Sequence, residues 1–128
     1  MKKYTFNSGD INAANRAFTL GDAVKVSFFI RNSKLILDEE CYFFLMASMR
    51  KMRLNIPLSY TLEFFQNLFN AEVIQDKSVS NGIINFLAFR NNDGVTLSKS
   101  TVSYFFEVSE CADVLDIHNG VLELDLIK

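Results

Sequence analysis

Few side chains in this 128-residue sequence combine a reactive type with a telling spacing: Cys41 and Cys111, His118, the triplet Asp38-Glu39-Glu40, and the isolated cations Lys25, Arg31 and Arg90. The two cysteines fit no metal-ligand spacing, and a zinc site built on one histidine would have to borrow carboxylates. They are read as reduced thiols, and no metal is expected. His118 sits in "IHNG", a turn tip, and is read as solvated rather than as an acid–base group. The acidic triplet has the composition of a carboxylate pair, but it opens a segment closed by Arg50, Lys51 and Arg53. That is the charge order a helix macrodipole favours, and a helix start accounts for it fully. Lys25 lies in a strand pattern whose alternate positions are apolar, so partial burial would lower its pKa. The reading favoured is a lysine whose stem packs while its ammonium reaches water. Arg31 has a surface reading only. No residue is assigned a catalytic role.

The elements that position these groups follow from periodicity. "AVKVSFFIR" (23–31) alternates, with Val24, Val26, Phe28 and Ile30 on one face and Lys25, Ser27, Phe29 and Arg31 on the other. "NSK" turns it into "LIL" as a hairpin. A helix is expected from an Asp38 cap to about Leu54, with Pro57 shortly beyond. A second helix starts near Ser59 or Thr61 and repeats Leu62, Phe65, Leu68, Phe69 and Val73 at three- and four-residue steps. Period two returns in "IINFLAFR" (83–90) and "TVSYFFEVS" (101–109), and "VLDIHNGVLELDL" reads as a closing hairpin around Asn119-Gly120. Tyr4-Thr5-Phe6 is a further short strand. Segregated strands and helices predict an α+β fold: a two-layer α/β sandwich, a mainly antiparallel sheet with two helices on one face, in a single domain 1–128.

Composition narrows the function class. The chain is 49% hydrophobic, with 13 Phe and no Trp, and its net charge is −2. Nothing suggests disorder, and Lys and Arg form no basic strip, so nucleic acid is not an expected partner. No apolar run approaches the ~18 residues of a membrane span, and "MKKYTF" leads into no signal core. A cytoplasmic protein without membrane contact is expected.

Beyond composition, "NRAFTLGDAVKVSFFIRNSKLILDEECYFFLMASMRKMRLNIP" resembles the N-terminal small domain of class IV aminotransferases, the fold-type IV pyridoxal-phosphate enzymes that include branched-chain and D-amino-acid aminotransferases and aminodeoxychorismate lyase. The family reads N-R-A-F-x-x-G-D-G-V-F-E, then a strand and hairpin, then E-x-H-x-x-R-L on a helix. "FLAFRNNDG" and "SYFFEVSE" are similar to its later strands, so the resemblance runs from about Asn15 to Leu126. It implies pyridoxal phosphate, an arginine on the helix for its phosphate, and a lysine in a second, C-terminal domain. This sequence departs at those points. Cys41 stands at the histidine position, Phe44 at the phosphate-binding arginine, and Leu45 is retained. Lys25 replaces an aromatic that lines the family's substrate pocket, and Val26 replaces a glutamate. Arg90 matches an arginine after a family strand, but "RNNDG" departs from the usual R-G.

The departures imply no cofactor, unless a partner chain supplies the lysine domain, because the sequence stops at "DLIK". The expected function is a stand-alone small-domain relative without pyridoxal-phosphate catalysis, acting by binding or assembly. The alternatives are one subunit of a split enzyme of this family, and a small-anion module using a remnant pocket of Lys25, Ser27 and Arg90. Phe43, Phe44, Met46 and Met49 surround one helix, and Phe64 and Phe65 are adjacent on the next. One helix face cannot bury every member of either set. A homodimer is therefore expected, two-fold symmetric about the first helix or a sheet edge, with a hetero-complex as second choice.

Overall fold

Alternation carries the first long strand to its expected length. A computed structural model of the chain describes residues 3–7, 23–91 and 100–111. In it β1 is Lys3–Asn7, β2 Ala23–Arg31 and β3 Lys34–Ile36. Asn32 and Ser33 both adopt positive φ (53° and 62°), the pattern of a two-residue type I′ hairpin turn between β2 and β3. Two helices follow, α1 (Asp38–Lys51) and α2 (Leu62–Phe69), the latter running into a π-helical turn over Asn70–Gln75. The chain returns to the sheet as β4 (Gly82–Arg90) and β5 (Val102–Glu110). The strand order is β1-β5-β4-β2-β3, antiparallel throughout. The closing hairpin expected at 114–126, with His118, and the "NRAF" and Gly21-Asp22 words lie outside the described residues.

Both helices pack on one face of the sheet. From α1 come Cys41, Leu45, Met46 and Met49, all buried, against Val24, Val26, Phe28 and Ile30 of β2. From α2 come Phe65 and Phe69, whose rings meet Phe86 of β4 edge-on at 5.2 Å and Phe106 of β5 at 5.3 Å. Phe28 joins the same cluster, 4.9 Å from Phe69. Such aromatic pairs add about 0.5–1.5 kcal/mol each beyond the area they bury. Of the expected α2 stripe, Phe65, Phe69 and Val73 are buried while Leu62 and Leu68 sit at its edges.

Two caps differ in kind. Thr61 caps α2 as expected, its Oγ1 accepting from the Phe64 N–H at 3.1 Å. Asp38 does not cap α1: Leu37 holds that position in a left-handed conformation (φ 55°) with no side-chain cap. Asp38 is instead the first helical residue, and its Oδ2 accepts from Gln66 Nε2 of α2 at 2.6 Å. A second tie runs the same way, the Tyr42 hydroxyl donating to the Tyr60 carbonyl at 3.0 Å. Helix α1 ends at Lys51, earlier than expected, because Arg53 turns left-handed (φ 58°). The Leu54 N–H then reaches back to the Met49 carbonyl at 3.0 Å, the six-to-one bond of a Schellman ending.

No helix among the described residues is long and apolar enough to cross a membrane.

Candidate functional site

The positions that the family resemblance singles out on α1 lie only about 60° apart around the helix but differ sharply in exposure. Cys41 is 0% exposed, under the sheet side of the helix. Burial first, and then the nearby carboxylates of Glu40 and Asp38, push its thiol up to about 12. It is therefore uncharged at neutral pH and out of reach of solvent. Phe44 is 52% exposed, and Phe43 beside it 59%. The outer face of the helix thus presents rings where an anion would need donors. The next cation along it, Arg50, lies six residues on, about 9 Å further along the axis. These residues do not fit a cofactor phosphate held from this helix. Arginine to phosphate is a bidentate, charge-assisted contact that a phenyl ring cannot reproduce. Its loss is on the order of 1.5–3 kcal/mol, roughly ten- to a hundredfold in affinity.

The sheet face turned away from the helices carries a different constellation. Register places Lys25 opposite Leu87 and Leu87 opposite Phe105. One step along, Ser27 faces Asn85 and Asn85 faces Glu107. Lys25, Asn85, Leu87, Phe105 and Glu107 line a cleft of about 210 Å³. Its apolar side belongs to a small second cluster in which Leu87 and Phe89 are buried against Ala23 and Phe105. Lys25 itself is exposed. Ser27 Oγ donates to Asn85 Oδ1 at 2.9 Å, which fixes the amide and leaves its NH₂ as the free donor side. The cleft therefore offers one cation, one carboxylate and one amide over apolar side chains. Because Glu107 opposes Lys25 in charge, it suits a monoanion or zwitterion better than a phosphate dianion.

Arg90 does not join this cleft. It shares strand parity with Ile84, Phe86 and Ala88 and so projects to the helix side, where it is 4% exposed. Its Nη2 donates to the carbonyls of Met52 (3.1 Å) and Arg53 (3.2 Å) at the end of α1. Of the three residues expected in a remnant pocket, Lys25 and Ser27 lie together and Arg90 lies on the opposite side of the sheet. Arg31, read as a surface residue, is half-buried. Asn85, Leu87, Phe105 and Glu107 are not singled out by sequence reasoning. Their signal is strand parity, since odd-numbered residues of β4 and β5 share the Lys25 face. Pairing them needs a register that the long 91–101 connection does not set. Among the described residues no group of three or more His, Cys, Asp or Glu is arranged to hold a metal ion.

No family model matches the sequence, and no curated protein matches it. Solved structures do match its fold. The Escherichia coli branched-chain amino acid aminotransferase superposes with a TM-score of 0.66 at 15% identity, over 90% of this chain and 42% of that one. The 4-amino-4-deoxychorismate lyase of Pseudomonas aeruginosa gives 0.61 at 16% identity, over 84% and 40%. A mutant branched-chain amino acid aminotransferase from Thermobaculum terrenum gives 0.57 at 16% identity, over 74% and 33%. The chain spans about a third to two-fifths of the length of these enzymes. It has the fold of the small domain of the fold-type IV, class IV aminotransferases.

Proposed function

We propose that this chain acts by binding or assembly and carries no pyridoxal-phosphate chemistry of its own. The observation behind this is α1: a half-exposed phenyl ring at position 44, where the resemblance implies the phosphate-binding arginine, and a buried neutral thiol at position 41. A partner chain could bring a lysine, but it could not put an arginine back on this helix, which weighs against half of a split enzyme. The test is to add pyridoxal phosphate, record the visible absorbance, reduce with borohydride and weigh the intact protein. The expected result is no stoichiometric adduct and no transamination of common amino acids. A one-to-one Schiff base with turnover would overturn the proposal.

The cleft favours a second reading, a small-molecule module with Lys25 as the anion anchor and Glu107 as its counter-charge. Thermal-shift screening of small monoanions and zwitterions checks it. A ligand that stabilises the wild type should lose its effect in Lys25→Met. Absence of any stabilising compound would remove this reading.

A further inference from the structure

Helix α1 buries only part of its apolar set, with Met46 and Met49 inside and Phe43 and Phe44 exposed. Its inward face is complete, with Cys41, Leu45, Met46 and Met49 buried. Its outward face holds Glu39, Glu40, Phe43, Phe44, Ala47, Arg50 and Lys51, every one exposed. At 100° per residue these seven fall within an arc of about 140°, so they form one continuous stripe. Its order is acid, aromatic, small, base.

The acid and base ends are eleven residues apart, about 16 Å along the axis, too far to pair within one helix. Among the described residues none of the four charged groups at these ends has an ion-pair partner. The stripe is complementary to itself reversed. Laid antiparallel on a second α1 about a two-fold axis level with Leu45, Glu39 meets Arg50 of the other copy on one flank and Glu40 meets Lys51 on the other. Phe43 then falls opposite Ala47, a large side chain against a small one, and the two Phe44 rings come together at the axis. Parallel packing would set acid on acid and base on base.

We infer that this stripe is a self-association surface, on which a second copy of the chain packs its α1 antiparallel to the first. The inference rests on the assembly reading proposed above and specifies its surface and partner. A two-fold interface of this kind is isologous, so one patch serves both copies. Phe43 and Phe44 leave 59% and 52% of their surfaces open, on the order of 200 Å² per copy given the usual size of aromatic side chains. The two pairs would supply about 400 Å² of the ~1,000 Å² that a specific interface needs, with the charged stems and Ala47 adding the rest. That is the small end of the range, and it implies a dissociation constant on the order of micromolar rather than an obligate dimer.

Sedimentation velocity of the full chain between about 1 and 100 µM tests this across the expected constant. The wild type should pass from monomer to dimer. Phe43→Ser/Phe44→Ser, both at exposed positions and checked for folding by circular dichroism, should weaken association at least about tenfold. Glu39→Lys/Glu40→Lys should weaken it at low salt by setting base on base, and adding Arg50→Glu/Lys51→Glu should restore it. In a parallel dimer the first charge variant would change nothing. A wild type that stays monomeric throughout, including one captured instead by a different protein, overturns the inference. So does a dimer indifferent to the Phe pair or to the charge reversal. These failures are distinct from failure of the preceding proposal, which shows as a Schiff-base adduct whatever the assembly.

Discussion

Replacing Arg90 by Met isolates what a buried guanidinium does in this fold. The aliphatic stem is kept, while the charge and its donors are removed. Two bonds are known to be lost, from Nη2 to the Met52 carbonyl at 3.1 Å and to the Arg53 carbonyl at 3.2 Å. Both carbonyls lie just past the last α1 residue, where no following turn can satisfy them. A hydrogen bond from a charged donor contributes about 1.5–3 kcal/mol, so these two contribute about 3–6 kcal/mol before offsets. Two effects reduce that figure. The variant no longer desolvates a cation, and Met52 and Arg53 are exposed, so water can replace part of what their carbonyls lose. Removing a cation from a helix C-terminus subtracts a further ~0.3–1 kcal/mol. The expected net loss is about 2–3 kcal/mol, read as a lower urea midpoint at unchanged slope. Arg90→Lys should recover part of it, because one ammonium cannot reproduce the fork. A loss under about 0.5 kcal/mol would refute the account, showing that the end of α1 holds without the arginine. Unchanged stability with loss of a ligand would move Arg90 into a binding role.

Three further outcomes follow from single positions. The Cys41 thiol has its ordinary 9.0 raised to about 12 in the folded chain, so its contribution to stability is intact below pH 9 and is lost as pH rises from 9 toward 12. At pH 10 that loss is on the order of 1 kcal/mol, measurable as the extra destabilisation of wild type over Cys41→Ala between pH 8 and 10; equal losses would contradict the burial argument. Gly82→Ala would bring a Cβ to 2.9 Å from the Ser109 carbonyl oxygen and 3.1 Å from Val79 Cγ1, and should cost about 1–3 kcal/mol in urea unfolding. Arg53→Gly relieves a left-handed φ of 58° at the end of α1 and should raise stability by about 0.5–1 kcal/mol, with a rise in thermal midpoint as the readout.

Local rules made most of the frame legible. Period-two alternation marked β2 at 23–31, and Thr61 signalled the start of α2 because a hydroxyl before a helical pattern has one common use. What stayed hidden depends on partners distant in sequence. The role of Arg90 is set by a helix end some 38 residues upstream, and its strand parity is informative only once the helix face of the sheet is known. The cleft around Lys25 needs the β2–β4–β5 register, which no short turn specifies. The Asp38 cap failed for a related reason. An acidic residue at a helix start has two uses, and a Gln66 amide within reach drew this one away from its own backbone.

The same separation bears on function. Residues that specify the fold lie on the inward face of α1 and one side of the sheet, while those that could meet a partner or ligand lie on the other side of each layer. Fold and activity are therefore free to vary independently, which is how a chain at 15–16% identity keeps a fold-type IV frame. At position 44 one change acts twice. Phenylalanine removes the anion contact that the resemblance implies, and it adds an apolar ring to a face with charged ends. A lone exposed aromatic needs no explanation, but two adjacent rings framed by complementary charges do. Covering that face with a second copy would leave the cleft on the far side of the sheet open, so assembly through α1 and ligand binding near Lys25 do not compete for surface.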